Sequence, residues 1–398
     1  MTTVTIATFN VKNLIGPDQE YYRFEEYTPE EYAWKKNWLA DQILQLNADV
    51  ICFQEIFDQD ALWDVIEDVN ARAEALNADA IPDRSKPYHR KAIFRKLNIA
   101  PYPKEGLVFA PNDNDGAPGQ RRPGLAVVSR LPILGTPEVI QSLAQPLEIT
   151  FPGLGGGEMG SISVPRLSRP IQKVRIEAAG KPVTLFNIHF KSKLGEYLRP
   201  ADGSLSPEAD LLNYDPIGRA MGELRATTRR MAEAVVLRNA IVDVLDTDEP
   251  VLAMGDFNDS ENSVVSAIVS GEKPFKNYAW MRRPDAKNRS DRFSDAEDEV
   301  IRAAIERVQL TSAEKLFIRK SLKDMVFTSA FGGVYESIDQ ILLSRHFHPE
   351  NPNRLADLDY LAAFNDHLTD GSHPEAPYNK LASDHGQLVA HLSFVDKN

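Results

Sequence analysis

Six short stretches carry side chains that could do chemistry: FNVKN (Phe9–Asn13), FQE (Phe53–Glu55), NIHFKS (Asn187–Ser192), GDFND (Gly255–Asp259), IDQILLS (Ile338–Ser344) and SDHG (Ser383–Gly386). Together they supply Asn10, Glu55, His189, Asp256, Asn258, Asp339, Asp384 and His385. Carboxylate and amide oxygens are what a hard cation such as Mg²⁺ or Mn²⁺ takes as ligands. Imidazoles beside carboxylates move protons near neutral pH. No cysteine cluster or nucleophile elbow competes with them. The residue types point to metal-assisted chemistry on a phosphoester, where a cation and fixed donors stabilise charge on the phosphoryl oxygens and the leaving alkoxide.

Something rigid must bring these residues together. Each stretch lies at the end of an apolar, β-rich run, and α/β sheets hold ligands beyond the ends of their strands. An alternating strand is predicted over about Val4 to Val11. A helix follows, with Thr28 as N-cap, Pro29 at its first position and Glu31 completing a capping box. Trp34, Trp38, Leu39, Ile43 and Leu46 give it a helix-period face, Asn47 ends it, and a strand through Cys52 delivers Gln54 and Glu55. A second helix is expected over Gln59 to Ala78. Further strands are expected at Leu125–Ser129, Gln172–Glu177, Val183–Phe190, Val251–Gly255, Ile338–Leu343 and Gln387–Leu392. The alternation of strands and helices is the α/β rhythm. A long helix around Ala220 to Leu245 is expected to turn Leu224, Met231, Val235, Val242 and Leu245 inward. Arg225, Arg229 and Arg230 fall off that stripe, as a solvated face or as phosphate contacts.

The chain of 398 residues is 42% hydrophobic, enough for a large core. It reads as a single domain over 1–398, with loop insertions near 193–215, 259–333 and 345–380. A formal charge of -13 argues against a generally basic nucleic-acid coat but leaves room for a local basic groove. Cys52 is the only cysteine and sits in an apolar run, so a buried, inert thiol is expected. The start MTTVTIATFNV enters a strand without a signal-peptide pattern, and no stretch reaches membrane-span length, so a soluble, cytoplasmic protein without a membrane partner is expected. Oligomeric state is left open. Three motifs fail on inspection. GLGGGEMG (Gly153–Gly160) lacks the Gly-Lys-Ser/Thr of a phosphate loop. Asn112–Gly116 puts Pro111 and Arg122 where calcium ligands belong and reads as a flexible turn. His346 and His348 share a strand face with no carboxylate beside them and read as surface histidines.

Taken in order, with RRPGLAVVSR (Arg121–Arg130) between the second and third, the six stretches resemble the endonuclease/exonuclease/phosphatase superfamily, whose best-known member is deoxyribonuclease I. The resemblance runs from Phe9 to His385. It implies a four-layer α/β/β/α sandwich, two mixed β-sheets flanked by helices. It makes Glu55 the principal Mg²⁺ or Mn²⁺ ligand, Asn10 the residue positioning metal and phosphate, and Asp384 a further acidic metal or water-orienting residue. Asp256 and Asn258 would orient the attacking water and hold the phosphate or a second metal. His385 would be the catalytic imidazole, Asp339 its carboxylate partner, and His189 the second histidine, stabilising phosphoryl charge. Lys12 stands where some members carry an acid, which favours one principal metal.

The same resemblance spans several phosphoesters. The Trp before the GlyAsp motif and the ProSerTrp-like stretch of inositol 5-phosphatases are absent, and no exposed hydrophobic hairpin or membrane helix of the sphingomyelinase kind is visible. The HisPheLysSerLys run (His189–Lys193) is similar to bacterial nucleases of the superfamily. Lys191, Lys193, Arg121 and Arg122 are then expected as phosphate contacts. The reading is a divalent-metal-dependent nuclease acting on DNA with little sequence preference. Its alternatives are a phosphodiesterase or phosphatase for a small-molecule or lipid phosphoester, and a catalytically silent binding module.

Overall fold

The computed structural model describes residues 2–79, 99–153, 157–198, 200–201, 204, 206–271, 285–288, 292–321, 326–370 and 381–395. In chain order its first half runs β1 (Thr2–Leu14), α1 (Pro29–Leu46), β2 (Val50–Ile56), α2 (Gln59–Asp79), β3 (Leu107–Ala110), β4 (Gly124–Ser129), β5 (Ile133–Pro152), β6 (Glu158–Ala178) and β7 (Lys181–His189). The second half runs α3 (Pro216–Leu245), β8 (Val251–Asp256), α4 (Val264–Ser270), α5 (Asp295–Val308), β9 (Leu310–Ser312), α6 (Ala313–Ser321), β10 (Ser329–Phe331), β11 (Val334–Glu336), β12 (Asp339–Ser344), β13 (Ala356–Phe364) and β14 (Gln387–Phe394).

Both faces of β1 are buried: Val4 and Ile6 on one, Ala7, Phe9 and Val11 on the other. A strand apolar on both faces must lie between two packed layers. The outer layer is α1 and α2, whose Leu39, Ile43, Leu62 and Val65 pack on Phe9 and Phe53. The inner layer is a second sheet, with Val4, Ile6, Val50 and Cys52 meeting Leu185, Leu252, Met254 and Ile341. On that sheet's far face α3 lays Ala234, Leu237 and Ile241 against Phe186, Ile188 and Ala253. The expected four layers are present. The six-stranded sheets run β13-β14-β1-β2-β4-β3 and β5-β6-β7-β8-β12-β9. Each is mixed, because β1–β2 and β7–β8 are parallel among antiparallel neighbours.

Local signals held where chemistry dictates one geometry. Thr28 and Glu31 form the capping box on α1, and Asn47 closes it in the left-handed conformation. Cys52 is fully buried, and burial pushes its thiol pKa up. Other expectations need correction. Gln172–Glu177 is only the end of β6, which pairs along the half-exposed β5 in a long hairpin. Of GLGGGEMG, Gly153 and Gly157 serve that hairpin, the Gly153 N–H donating to the Gly157 carbonyl at 2.8 Å, and 154–156 lie outside the described residues. On α3 the buried face runs through Gly222, Ala226, Arg230, Glu233, Leu237 and Ile241, while Leu224 is exposed, so the expected stripe is rotated. Segment 345–380 contains the sheet strand β13, and its last ten residues lie outside the described set. Segment 259–333 likewise supplies the edge strand β9. His346 and His348 belong to a helical turn and its cap rather than to a strand. Asn112 is buried, with its amide donating to the Pro123 and Ser168 carbonyls, so its turn is packed rather than flexible.

Polar side chains join the two sheets near one end. Gln54 donates to Asn187 Oδ1 at 2.8 Å, and Asn187 Nδ2 donates to the Phe53 and Ala126 carbonyls and to Gln172 Oε1. All three side chains are fully buried. Truncation to Asn187→Ala strands several of these groups, each costing about 1–3 kcal/mol. It is therefore expected to lower the unfolding free energy by about 2–4 kcal/mol in chemical denaturation. A loss under about 0.5 kcal/mol, the level of a neutral surface change, would mean that the bridge does not hold the sheets.

Candidate active site

Strand register brings the chemical residues to one end of the sandwich. In the first sheet Asn10 lies opposite Gln54, next to Glu55. In the second, His189 lies opposite Asp256, and Asp256 opposite Asp339. His385 precedes β14 in the loop beside β1. Close packing forces Gly255, at φ 142°, because a Cβ there would sit 2.0 Å from the Ile188 carbonyl oxygen. Four non-glycine residues nearby hold left-handed backbone: Lys12 (φ 54°), Asn13 (57°), Glu55 (64°) and Asn258 (51°). Glu55 is the extra residue of a bulge in β2, and its carboxylate accepts from the Asn13 N–H at 3.0 Å. Such conformations cost about 1–3 kcal/mol each and persist where surrounding bonds fix them.

Asn10 is the hub. Its Nδ2 lies 3.2 Å from Glu55 Oε1, 3.1 Å from Asp256 Oδ2 and 3.4 Å from His385 Nε2, while the Lys12 N–H on its Oδ1 sets the amide orientation. His189 Nε2 faces Asp256 Oδ2 at 3.3 Å and Glu55 Oε1 at 3.9 Å. Burial, then Arg169 and His385, pull the His189 pKa well below 6.5, which keeps the ring neutral. Burial pushes the Asp256 carboxyl up to about 7, although the Asn258 N–H donates to it at 2.7 Å. His385 Nδ1 meets Asp339 Oδ2 at 2.9 Å. Burial works against a charged His385, but Asp339 and Asp256 outweigh it and hold the ring well above the ordinary histidine range. The dyad is built to hold a proton on the imidazole.

Further bonds lock these groups in place. Ser383 Oγ donates to the Asn10 carbonyl and accepts the His385 N–H. Buried Thr328 accepts the Ile338 and Asp339 N–H groups, and His367 Nε2 lies 3.0 Å from the His385 carbonyl. Beneath the FNVKN loop, fully buried Lys35 donates to the Val11, Lys12 and Leu381 carbonyls.

Not every expected residue joins the cluster. Asp384 is exposed and faces Lys12 at 3.6 Å, and its negative charge acts on His385. Lys191 Nζ donates to the Leu194 carbonyl at 2.8 Å. Lys193 is paired with Glu336. Arg122 is exposed, and its field, with that of Arg169, reaches Tyr22, which in turn senses Glu55. Arg169 was missed by the sequence reading. It donates to the Phe190 carbonyl at 3.0 Å, and its charge acts on His189 and Lys191. The Ser-Arg-Pro step at the head of an alternating strand was its signal.

The donor set suits a hard divalent cation. Part-buried Glu55 and buried Asp256 and Asp339 bring carboxylate oxygens to the site, and among the described residues Asp339 Oδ1 is buried without a partner. Asp256, Asp339 and His385 each offer a ligand atom within 4.8 Å of the others, but the Asp339–His385 hydrogen bond occupies part of that set. Glu55 and Asp256, both bonded to the Asn10 amide, would offer a second pair of carboxylates to a cation.

The dyad has a testable pH signature. The folded His385 pKa is raised, so its stabilisation is complete below about pH 6.5 and is lost as pH rises through the folded value. In EDTA, the stability advantage of wild type over Asp339→Asn is expected to be largest below that pH and to shrink above it. A pH-independent difference in denaturant titrations would mean that the pair is not ionised.

Residues 7–385 match the family model described as Endonuclease/Exonuclease/phosphatase family. By sequence, no curated protein matches the chain. Among solved structures, a family protein from Leptotrichia buccalis C-1013-b is similar at 13% identity, covering 98% of this chain and 100% of that one, with a TM-score of 0.42. TDP2 from Caenorhabditis elegans matches at 12% identity over 98% of this chain and 74% of its own, with a TM-score of 0.46. The human Nocturnin catalytic domain with bound sulfate matches at 14% identity over 99% and 95%, with a TM-score of 0.43. With a family model spanning nearly all of its length over this cluster of carboxylates and histidines, the chain belongs to the endonuclease/exonuclease/phosphatase family of metal-dependent phosphoesterases.

Proposed function

We propose that the chain is a Mg²⁺- or Mn²⁺-dependent nuclease that cleaves DNA with little sequence preference. The observation that carries this reading is the His385–Asp339 dyad, 2.9 Å apart and beside Asp256 and Asn10, at the strand ends of both sheets. Glu55 and Asp256 would hold the cation, which as a Lewis acid would offset charge on the phosphoryl oxygens. Asp256 and Asn258 orient the attacking water, whose proton passes to the Asp256 carboxylate as the new P–O bond forms, while protonated His385 gives its Nε2–H to the leaving oxygen as that oxygen's bond to phosphorus breaks. Neutral His189 can donate one N–H to a nonbridging oxygen, and Arg169 adds a fixed positive charge beside it.

One observation favours a lipid phosphoester as the second reading. Leu194, Leu198, Leu211, Leu212 and Ile217 are each more than 60% exposed in the segment following the His189 loop. The β10–β11 hairpin likewise exposes Phe331, Val334 and Tyr335, an apolar hairpin that the sequence did not reveal. Among the described residues no helix is long and apolar enough to cross a membrane.

Supercoiled plasmid is expected to be nicked with Mg²⁺ or Mn²⁺ and to stay intact in EDTA. Glu55→Gln and His385→Ala are each expected to lower the rate by about 10² to 10⁴ while keeping the wild-type fold by circular dichroism. Plasmid left intact with every metal, beside hydrolysis of a phospholipid vesicle, would overturn the nuclease reading in favour of the lipid one. Wild-type turnover by either variant would sink the residue assignments.

A further inference from the structure

We propose that Arg230 and Glu233, successive inward residues of α3, are positioning residues that set the phosphate-facing side of the active site. Their burial is the first sign. Arg230 is 4% and Glu233 2% exposed, on a helix face that ordinarily takes apolar side chains. Buried charges are costly unless their polar atoms find partners. Here the partners are the backbones of segments that carry site residues.

Glu233 Oε1 accepts the Ser168 N–H at 2.8 Å and also the Ser168 hydroxyl, while Oε2 accepts the Lys191 N–H at 2.7 Å. Arg230 Nη1 donates to the Lys191 carbonyl at 3.1 Å and the Ser192 carbonyl at 3.3 Å, and its Nε faces Asp259 Oδ2 at 3.4 Å. Lys191 is thus gripped at both its N–H and its C=O from one turn of helix. Ser168 precedes Arg169, Lys191 follows His189 by two residues, and Asp259 follows Asn258. Between them lies the Phe190 carbonyl, which accepts from Arg169 Nη1 and Asn258 Nδ2, each at 3.0 Å. One helical turn therefore fixes three segments whose side chains converge on one carbonyl. Slack in this grip would move Arg169, His189 and Asn258 together and leave Glu55, Asn10 and the His385–Asp339 dyad where they are.

The grip is also chemically specific. Both Glu233 oxygens receive donors, so in Glu233→Gln the new NH₂ must face an N–H, and one attachment is lost without a change of shape. Arg230→Lys keeps a cation able to reach the carbonyls, whereas Arg230→Met does not. The proposal rests on the site assignment above, and the experiment separates the two.

Steady-state hydrolysis of bis(p-nitrophenyl) phosphate with Mn²⁺ and amide hydrogen exchange of the metal-free protein would be measured for wild type, Glu233→Gln, Arg230→Met, Arg230→Lys and His385→Ala. A displacement on the order of 1 Å costs about 10² in rate. The expected result is a fall in kcat of about that size in Glu233→Gln and Arg230→Met with KM nearly unchanged, substantial recovery in Arg230→Lys, and faster exchange confined to the 190–192 amides. Wild-type kcat in Glu233→Gln beside an inactive His385→Ala would overturn the clamp alone. Loss that only tracks the folded fraction, or Arg230→Lys no better than Arg230→Met, would overturn it too. If His385→Ala keeps full turnover, or wild type is inactive on the diester, the site reading is what fails. Unchanged exchange at 190–192 in Glu233→Gln then still rejects the clamp.

Discussion

The two sheets must hold one register relative to each other, because the site is divided between them. Asn10, Glu55 and His385 belong to the first sheet and its loops, and His189, Asp256 and Asp339 to the second. Apolar contacts such as Ile6 and Val50 against Leu185 and Met254 press the sheets together but do not fix sliding, since burial is not directional. The Gln54–Asn187 bridge does, and each of its residues is one or two positions from a site residue. The Asn10–Asp256 bond adds a second crossing at the site itself. Distances at the cluster are therefore set by hydrogen bonds inside the sandwich together with those from the loops that flank it.

That arrangement is held at an energetic cost. Asp256 lies where burial disfavours its charge and titrates near neutrality, with Glu55 and Asp339 close by, while His385 is held protonated. Left-handed backbone at Lys12, Asn13, Glu55 and Asn258 adds strain. Strain and like charge concentrated at one end of an otherwise regular sandwich are what a site shaped for a cation and an anionic substrate looks like before either binds. The rest of the fold, with three apolar layers of core, supplies the offsetting stability.

Much of this was legible in the sequence, and the reasons differ by element. Strand β1 and helix α1 announce themselves because alternation, a capping box and a left-handed Asn each admit one local geometry. The cluster residues were legible as types at strand ends, and the structure brings Asn10, Glu55, His189, Asp256, Asn258, Asp339 and His385 together. Hairpin β5–β6 was hidden because a half-exposed strand carries no continuous apolar run. Lys191 and Asp384 show that motif position does not fix a side chain's partners: Lys191 reaches a loop carbonyl and Asp384 faces Lys12. Arg230 and Glu233 were illegible as inward residues because the stripe was read from apolar residues alone. Thr328 lay in a stretch that reads as charged loop.

The pairing of β1 with β14 joins Thr2 to Phe394 and Thr8 to Leu388, so one edge of the first strand, the edge away from β2, has its partner only when all of the intervening chain exists. His385 arrives with that same strand, long after Asn10 and Glu55. During synthesis Glu55, Asp256 and Asp339 therefore all precede the imidazole of the dyad. A growing chain carries an exposed edge on β1 and no complete dyad until β14 is made. Contacts of such sequence separation make for slow closure of the first sheet. They also tie the onset of hydrolytic chemistry to completion of the fold, which keeps a partly made phosphoesterase silent.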